Sequence, residues 1–310
     1  MALLNTIYNL VECGATAVLG TGTKGCKQTL KKAASIWITP QGFKFDGTQT
    51  LDETYIQLLQ AQGNLIILKG LTTFTDNSSD DIIETLEDGT KIVTTLGLYE
   101  FAVVFIKGLG FHAALHSLNS FGSYDMLFVD RDGNILGTKA TDGSLKGFSV
   151  GMMQANKLTW PSDAAGQKEG IMFQFTTRAE LDTNYVYIQQ TQLGTYEPQN
   201  QDGINEVVLD AAVPVDGATT WVVTAKNKNN YNAWTGGLTG DFKLTRDGVT
   251  ESKTVVESPD GTYTFTVAAI AADEDWTVAL YDVANSRTVI VKDTDLYKSN
   301  TDTETAIVST

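Results

Sequence analysis

The chain is poor in the residues that build most active sites and covalent frameworks. Its two cysteines, Cys13 and Cys26, are too few for a disulfide framework and lack the C-x-x-C spacing of zinc or redox sites, so they read as two buried thiols. Only two histidines and five prolines occur. Basic charge is scarce as well: 22 Lys+Arg face 37 Asp+Glu, a net charge of −15. Residues 1–200 hold 14 basic and 20 acidic residues, which leaves 22−14 = 8 and 37−20 = 17 for residues 201–310. Both halves are therefore acidic, which excludes binding to nucleic acid by displacement of phosphate counterions. No run approaches the ~18 apolar residues of a membrane span. The segment Met1–Leu10 has no basic stretch before its apolar residues and contains Asn5 and Asn9, so no secretory signal is expected and the chain reads as cytoplasmic until assembly or release.

What remains is an ordinary globular composition, 42% hydrophobic and 19% charged, in a chain long enough for two domains. A polar break at 197–203, with Pro198 and several Asn and Gln residues, separates a domain at 1–200 from one at 204–300, and 301–310 reads as a frayed polar tail. The densest pattern lies between Leu98 and Thr138. Tyr99, Phe101, Val103 and Phe105 alternate with Glu100, Ala102, Val104 and Ile106 as a strand requires. The period then lengthens, with Phe111, Leu115 and Leu118 on one stripe, which predicts a helix over 111–121 closed by Gly122. Met126 to Val129 and Ile135 to Thr138 follow as a hairpin around Asp132-Gly133-Asn134.

The flanking segments add strands. Ala33 to Ile38, Gly42 to Phe45 and Leu65 to Leu68 read as short strands, and Thr54 to Gln60 as a helix turn or a strand. Thr72 to Thr95 is polar and acidic, a long hairpin arm or a surface loop. Ser149 to Met153 is expected at a sheet edge, and Ile171 to Thr176 and Tyr185 to Gln189 are further strands. Beyond the break, runs such as Trp221 to Ala225, Phe242 to Arg246 and Trp276 to Tyr281 alternate between turn residues. Asp260-Gly261-Thr262-Tyr263-Thr264-Phe265 resembles the tyrosine-corner entry of an immunoglobulin-like sandwich, with Phe265 in place of a cysteine and Trp221, Phe265 and Trp276 filling the core.

Four motifs suggest chemistry and fail on their surroundings. Gly147-Phe148-Ser149-Val150-Gly151 matches the nucleophile elbow, but no helix pattern follows it and both histidines precede Ser149. The Gly20–Gly25 patch has Cys26 and Lys27 where a P-loop needs Lys and Ser/Thr. Asp130-Arg131-Asp132-Gly133-Asn134 opens like a calcium loop, yet its glycine comes too early and Thr141 stands where the bidentate Glu belongs, so a hairpin turn is expected. His112 and His116 have metal-ligand spacing without a third ligand, and read as helix-surface or interface residues. No enzyme, cofactor or metal is expected.

The order of these elements resembles the major tail tube proteins of tailed phages, and most closely virion structural proteins of phages infecting Bacteroidota. Thr94-Thr95-Leu96-Gly97-Leu98-Tyr99-Glu100-Phe101, His116-Ser117-Leu118-Asn119-Ser120-Phe121 and Met126 through Thr138 carry the likeness, which extends to the break. The resemblance implies a mainly β fold, a tail-tube-like β-sandwich or barrel with one flanking helix, followed by an immunoglobulin-like β-sandwich. It implies a virion protein assembled in the bacterial host cytoplasm, in stacked, hexameric rings, partnered by itself, by other tail proteins and by DNA passing without specific binding, with no membrane. On that mapping the Thr72–Thr95 hairpin and the N-terminal arm make ring-to-ring contacts. Glu100, or Asp80, Asp81, Glu84, Glu87 and Asp88 of the arm, face the lumen, where negative charge lets DNA slide. Lys24, Lys27, Lys31, Lys32, His112 and His116 are the inter-subunit candidates, with a solvated face as the alternative for the lysines. A rival reading is a capsid decoration, head-fibre or adhesin module in which Tyr231, Trp234 and Tyr281 of the second domain touch a ligand, with core or loop anchors as the alternative for these rings.

Overall fold

The computed structural model describes residues 3–4, 30–162, 166–293 and 295–308. It is mainly β and divides into two compact units, Met1–Gln201 and Asp202–Thr310. The first unit is organised around two strands, β1 (Ala33–Pro40) and β7 (Tyr124–Asp130), paired antiparallel with Ile36 opposite Phe128 and Ile38 opposite Met126. Both strands are buried on both faces through most of their length. Because side chains alternate across a strand, this wall feeds two separate cores. Ile36, Ile38, Met126 and Phe128 point into one, and Trp37, Leu127 and Val129 into the other.

Eight further strands extend the wall. They are β2 (Ile66–Lys69), β3 (Thr73–Asp76), β6 (Glu100–Phe105), β8 (Ile135–Lys139), β9 (Leu145–Lys146), β10 (Phe148–Ala155), β11 (Glu169–Phe175) and β12 (Tyr185–Ile188). Pairing of β7 with β8 at Phe128 and with β10 at Met126 forks the sheet. One branch continues to β12 and the other runs β10-β11-β6-β3. The second branch closes the aromatic core, where Phe101 meets Phe128 edge-on at 5.7 Å and Phe148 stacks on Phe175 at 5.0 Å. Each such buried ring is worth about 1.5–3 kcal/mol over exposure.

Among the described residues, two helices of eight or nine residues and a single turn, Ala179–Asp182, flank this unit where one helix was expected. The segment left open between helix and strand is the helix Glu53–Ala61: Asp52 caps it by accepting the Tyr55 N–H at 2.9 Å, and Ile56 and Leu59 pack into the second core. The helix Leu109–His116 is shorter than the expected 111–121. Ser117 turns its hydroxyl back to the Ala114 carbonyl at 2.6 Å, and Ser120 then bridges to Met153. Phe121, predicted inside the helix, is 79% exposed, while Leu115 and Leu118 keep their predicted place in the core. At its start, buried Glu169 accepts the N–H groups of Lys107 at 2.9 Å and Gly108 at 3.2 Å. Burial works against that carboxylate's charge, but these donors and the Gln167 amide outweigh it and hold its pKa below the usual value.

Two further expectations are corrected. The segment around Ser149 is no edge, since β10 lies between β7 and β11, and Gly42 to Phe45 makes only a single bridge, Lys44 to Lys146. The Asp130 motif is the expected turn: its Oδ1 accepts the N–H groups of Asp132 and Asn134, both at 2.9 Å.

The second unit is a two-sheet sandwich. Its larger sheet includes Ile204–Ala211, Thr220–Asn227 and Thr262–Thr266, and its smaller sheet Phe242–Arg246 and Asp275–Leu280. Trp221 lies 6.0 Å from Trp276 and 6.4 Å from Phe265 at the centre. The Tyr263 hydroxyl donates to the Trp234 carbonyl at 2.9 Å and accepts the Gly237 N–H at 3.1 Å, so the tyrosine ties a strand to a distant loop. The C-terminal segment is not a frayed tail through 310: Asp302–Thr305 pairs with Asp275–Leu280 and buries Ala306 behind it, because that sheet edge needs a partner. No helix among the described residues is long and apolar enough to cross a membrane.

Candidate assembly surfaces

The least satisfied part of the first unit is an arm. Among the described residues, β4 (Ile82–Thr85) and β5 (Lys91–Thr95) pair only with each other. All nine residues are exposed, and they include Ile82 and Ile83 at 59% and Val93 at 52%. The rest of the expected 72–95 arm is β3, which belongs to the main sheet. Isolated two-stranded hairpins are marginal in water, and apolar side chains on both faces add to that cost. At the arm's neck, a Cβ on Gly97 would lie 1.9 Å from the Ser79 carbonyl oxygen, so only glycine fits that crossing.

The root is fastened electrostatically. Asp81 Oδ1 accepts the Gly97 N–H at 2.8 Å and Arg178 Nη1 at 2.6 Å. Arg178 Nε donates to Asp182 Oδ2 at 2.8 Å, and the Tyr99 hydroxyl donates to Oδ1. Arg178, and then Tyr99, hold the Asp182 carboxyl below its ordinary pKa. A cleft of about 500 Å³ beside this root is lined by Asp76, Asp80, Asp81, Leu98, Tyr99 and Arg178.

The acidic candidates therefore fall in three places. Asp80, Glu84 and Glu87 are exposed on or beside the arm, Asp88 shapes its tip by accepting the Thr90 N–H at 2.8 Å, and Asp81 is spent on the root. Glu100 lies elsewhere, half-buried on the outer face of β6 opposite Gln174. That face continues through Ala102, Val104, Met172, Met152 and Gln154, so Glu100 is the one charge among these outward positions and no Lys or Arg accompanies it.

Lys24 and Lys27 lie outside the described residues. Lys31 and Lys32 are exposed, and Lys32 Nζ donates to the Thr72 carbonyl at 2.9 Å. The histidine rings meet edge-on at 4.5 Å, and His112 Nδ1 is buried with no partner among the described residues. The Ala155 N–H donates to Asn119 Oδ1 at 2.6 Å, so the Asn119 amide nitrogen faces His116 Nδ1 at 3.3 Å as a donor. His116 Nε2 lies 3.2 Å from His112 Nε2, and no group of three or more metal-ligating side chains occurs among the described residues.

The sequence reading missed a side-chain cluster around Ser149. Lys146 Nζ stands 2.7 Å from Ser149 Oγ, 3.2 Å from Glu180 Oε1 and 3.7 Å from Asp125 Oδ2, and Asp125 is fully buried. The Gly-Phe-Ser-Val-Gly pattern was its only signal, since Asp125 and Glu180 reach it from other elements. In the second unit, Tyr231 is 75% exposed, whereas Trp234 is 3% exposed and belongs to the core, as the anchoring alternative for it expects.

No family model matches the chain, and no curated protein matches it either. Among solved structures, SGBP-B of a Bacteroides ovatus mixed-linkage glucan utilization locus, in complex with a mixed-linkage heptasaccharide, aligns at 13% identity with a TM-score of 0.22. The alignment covers 79% of this chain and 62% of that one, so the chain spans less than two-thirds of its length. No property of that protein is carried over.

Proposed function

We propose that the chain is a self-assembling virion structural protein, the subunit of a phage tail tube built from stacked, hexameric rings. The observation that carries this reading is the arm: a hairpin with apolar residues on both faces and no partner among the described residues of its unit gains stability when a second copy covers it. The outer face of β3-β6-β11-β10 supports it further as a lumen wall. With one carboxylate and no Lys or Arg at these strand positions, the face offers a passing DNA no cation to pair with its phosphates. The second unit has its own core and its own sheets, and decorates the tube.

Negative-stain electron microscopy of the concentrated protein tests this reading. Full-length protein forms rings or tubes with a central channel, and so does protein truncated before Gly203. The double variant Ile83→Asp/Val93→Asp stays monomeric with unchanged circular dichroism. Monodisperse wild-type monomers at every concentration would sink the proposal and favour the decoration or adhesin reading, for which exposed Tyr231 is the best-placed contact residue.

A further inference from the structure

Asp125, Lys146 and Glu180 form a cluster that neither the cores nor the assembly surfaces account for. Asp125 lies on β7 opposite Ser149 of β10, with its side chain wholly buried. Its Oδ2 accepts the Gly42 N–H at 2.7 Å, and its Oδ1 has no partner among the described residues. The chain carrying Lys146 passes very close: a Cβ on Gly147 would lie 2.6 Å from Met126 N and 3.0 Å from Asp125 Cβ. Lys146 Nζ thereby comes to 3.7 Å from Asp125 Oδ2. Glu180 is aimed at the same point. Its Oε2 accepts the Ser149 N–H at 2.6 Å, which turns Oε1 toward Lys146 at 3.2 Å and the Ser149 hydroxyl at 2.9 Å.

We infer that Lys146 and Asp125 become joined by an intramolecular isopeptide bond, with Glu180 as the proton carrier. The reactive forms are the neutral amine and the neutral acid, which the buried ion pair reaches by passing one proton across. Burial favours that exchange, since desolvation pushes the Asp125 pKa up. The amine nitrogen attacks Cγ of Asp125, and the Gly42 N–H donates to Oδ2, where negative charge develops. Glu180 takes a proton from the nitrogen, directly or through the Ser149 hydroxyl, and delivers it to the departing Oδ1 hydroxyl. One C–N bond forms, one C–O bond breaks and one water leaves, with no oxidant or co-reactant. Oδ2 remains as the amide carbonyl on Gly42. The orphaned Oδ1 is the oxygen that departs, which explains a buried acceptor with no donor. Placement within one folded unit supplies the proximity that the same reaction lacks in solution.

The test is the mass of the full-length protein after folding, measured under denaturing conditions, together with a peptide map. Wild type is lighter than its sequence by one water, and the Lys146 peptide is linked to the Asp125 peptide. Asp125→Asn loses one ammonia instead, because the carboxamide leaves nitrogen where the acid leaves oxygen. Lys146→Arg, which keeps the charge but forms no such amide, and Glu180→Gln both retain their full sequence masses with circular dichroism matching wild type. A folded wild type at full sequence mass with unlinked peptides overturns the bond, and a water loss that persists in Glu180→Gln overturns the assigned proton carrier.

Discussion

The two units meet the same requirement, burying one face of each strand, in different ways. The second unit is a sandwich whose strands alternate in burial, with Trp221, Phe265 and Trp276 in one core. The first has a two-sided wall, β1 with β7, and a core on each face of it. It also leaves an apolar hairpin outside both cores. On the proposed reading, it is this arm of the first unit that another copy covers.

That contrast can be broken by experiment. The largest effect belongs to the wall: Trp37→Ala empties a fully buried site and costs about 3–5 kcal/mol. In calorimetry it lowers only the transition of the first unit, and a single merged transition would show that the units are not independent. Glu169→Gln comes next. The amide replaces one acceptor oxygen with a donor facing backbone N–H groups, which costs about 1–3 kcal/mol of first-unit stability in denaturant titration. Tyr263→Phe is the counterpart in the second unit. It removes the hydroxyl between Trp234 and Gly237 and costs about 1–2 kcal/mol, read as a shift in the other transition alone.

The smallest effect lies at the arm's root. The Asp182 carboxyl is held below its ordinary pKa of 3.8, so its stabilisation is complete above that value and fades as pH falls through the lowered one. Hydrogen exchange at Gly97 should then be faster in Asp182→Asn than in wild type at neutral pH, with the difference closing in strong acid. A difference that persists in strong acid would disconnect Asp182 from the arm.

Much of the fold could be read from residue patterns because those patterns are local. The alternation from Tyr99 to Phe105 and the Asp-Gly-Asn turn each follow from neighbours within a few residues, whereas the Tyr263 hydroxyl reaches a carbonyl 29 residues upstream. The end of the helix Leu109–His116 was misplaced, because Leu118 continues the helical stripe although Ser117 has already turned the chain. The interior position of β10 was missed for a different reason. Its half-polar residues, Ser149 and Gln154, suggest an edge, but they face the outer side of a strand paired on both flanks.

By itself the sequence determined a mainly β chain in two units, its acidity, and the turns and strands that short-range chemistry dictates. Tertiary structure alone decided that β1 and β7 serve two cores, that the arm leaves its apolar residues uncovered, and that Asp125, Lys146 and Glu180 meet. These outcomes depend on contacts between residues far apart in the chain, where pairing and close approach, as at Gly147, choose among partners that composition and periodicity leave equivalent.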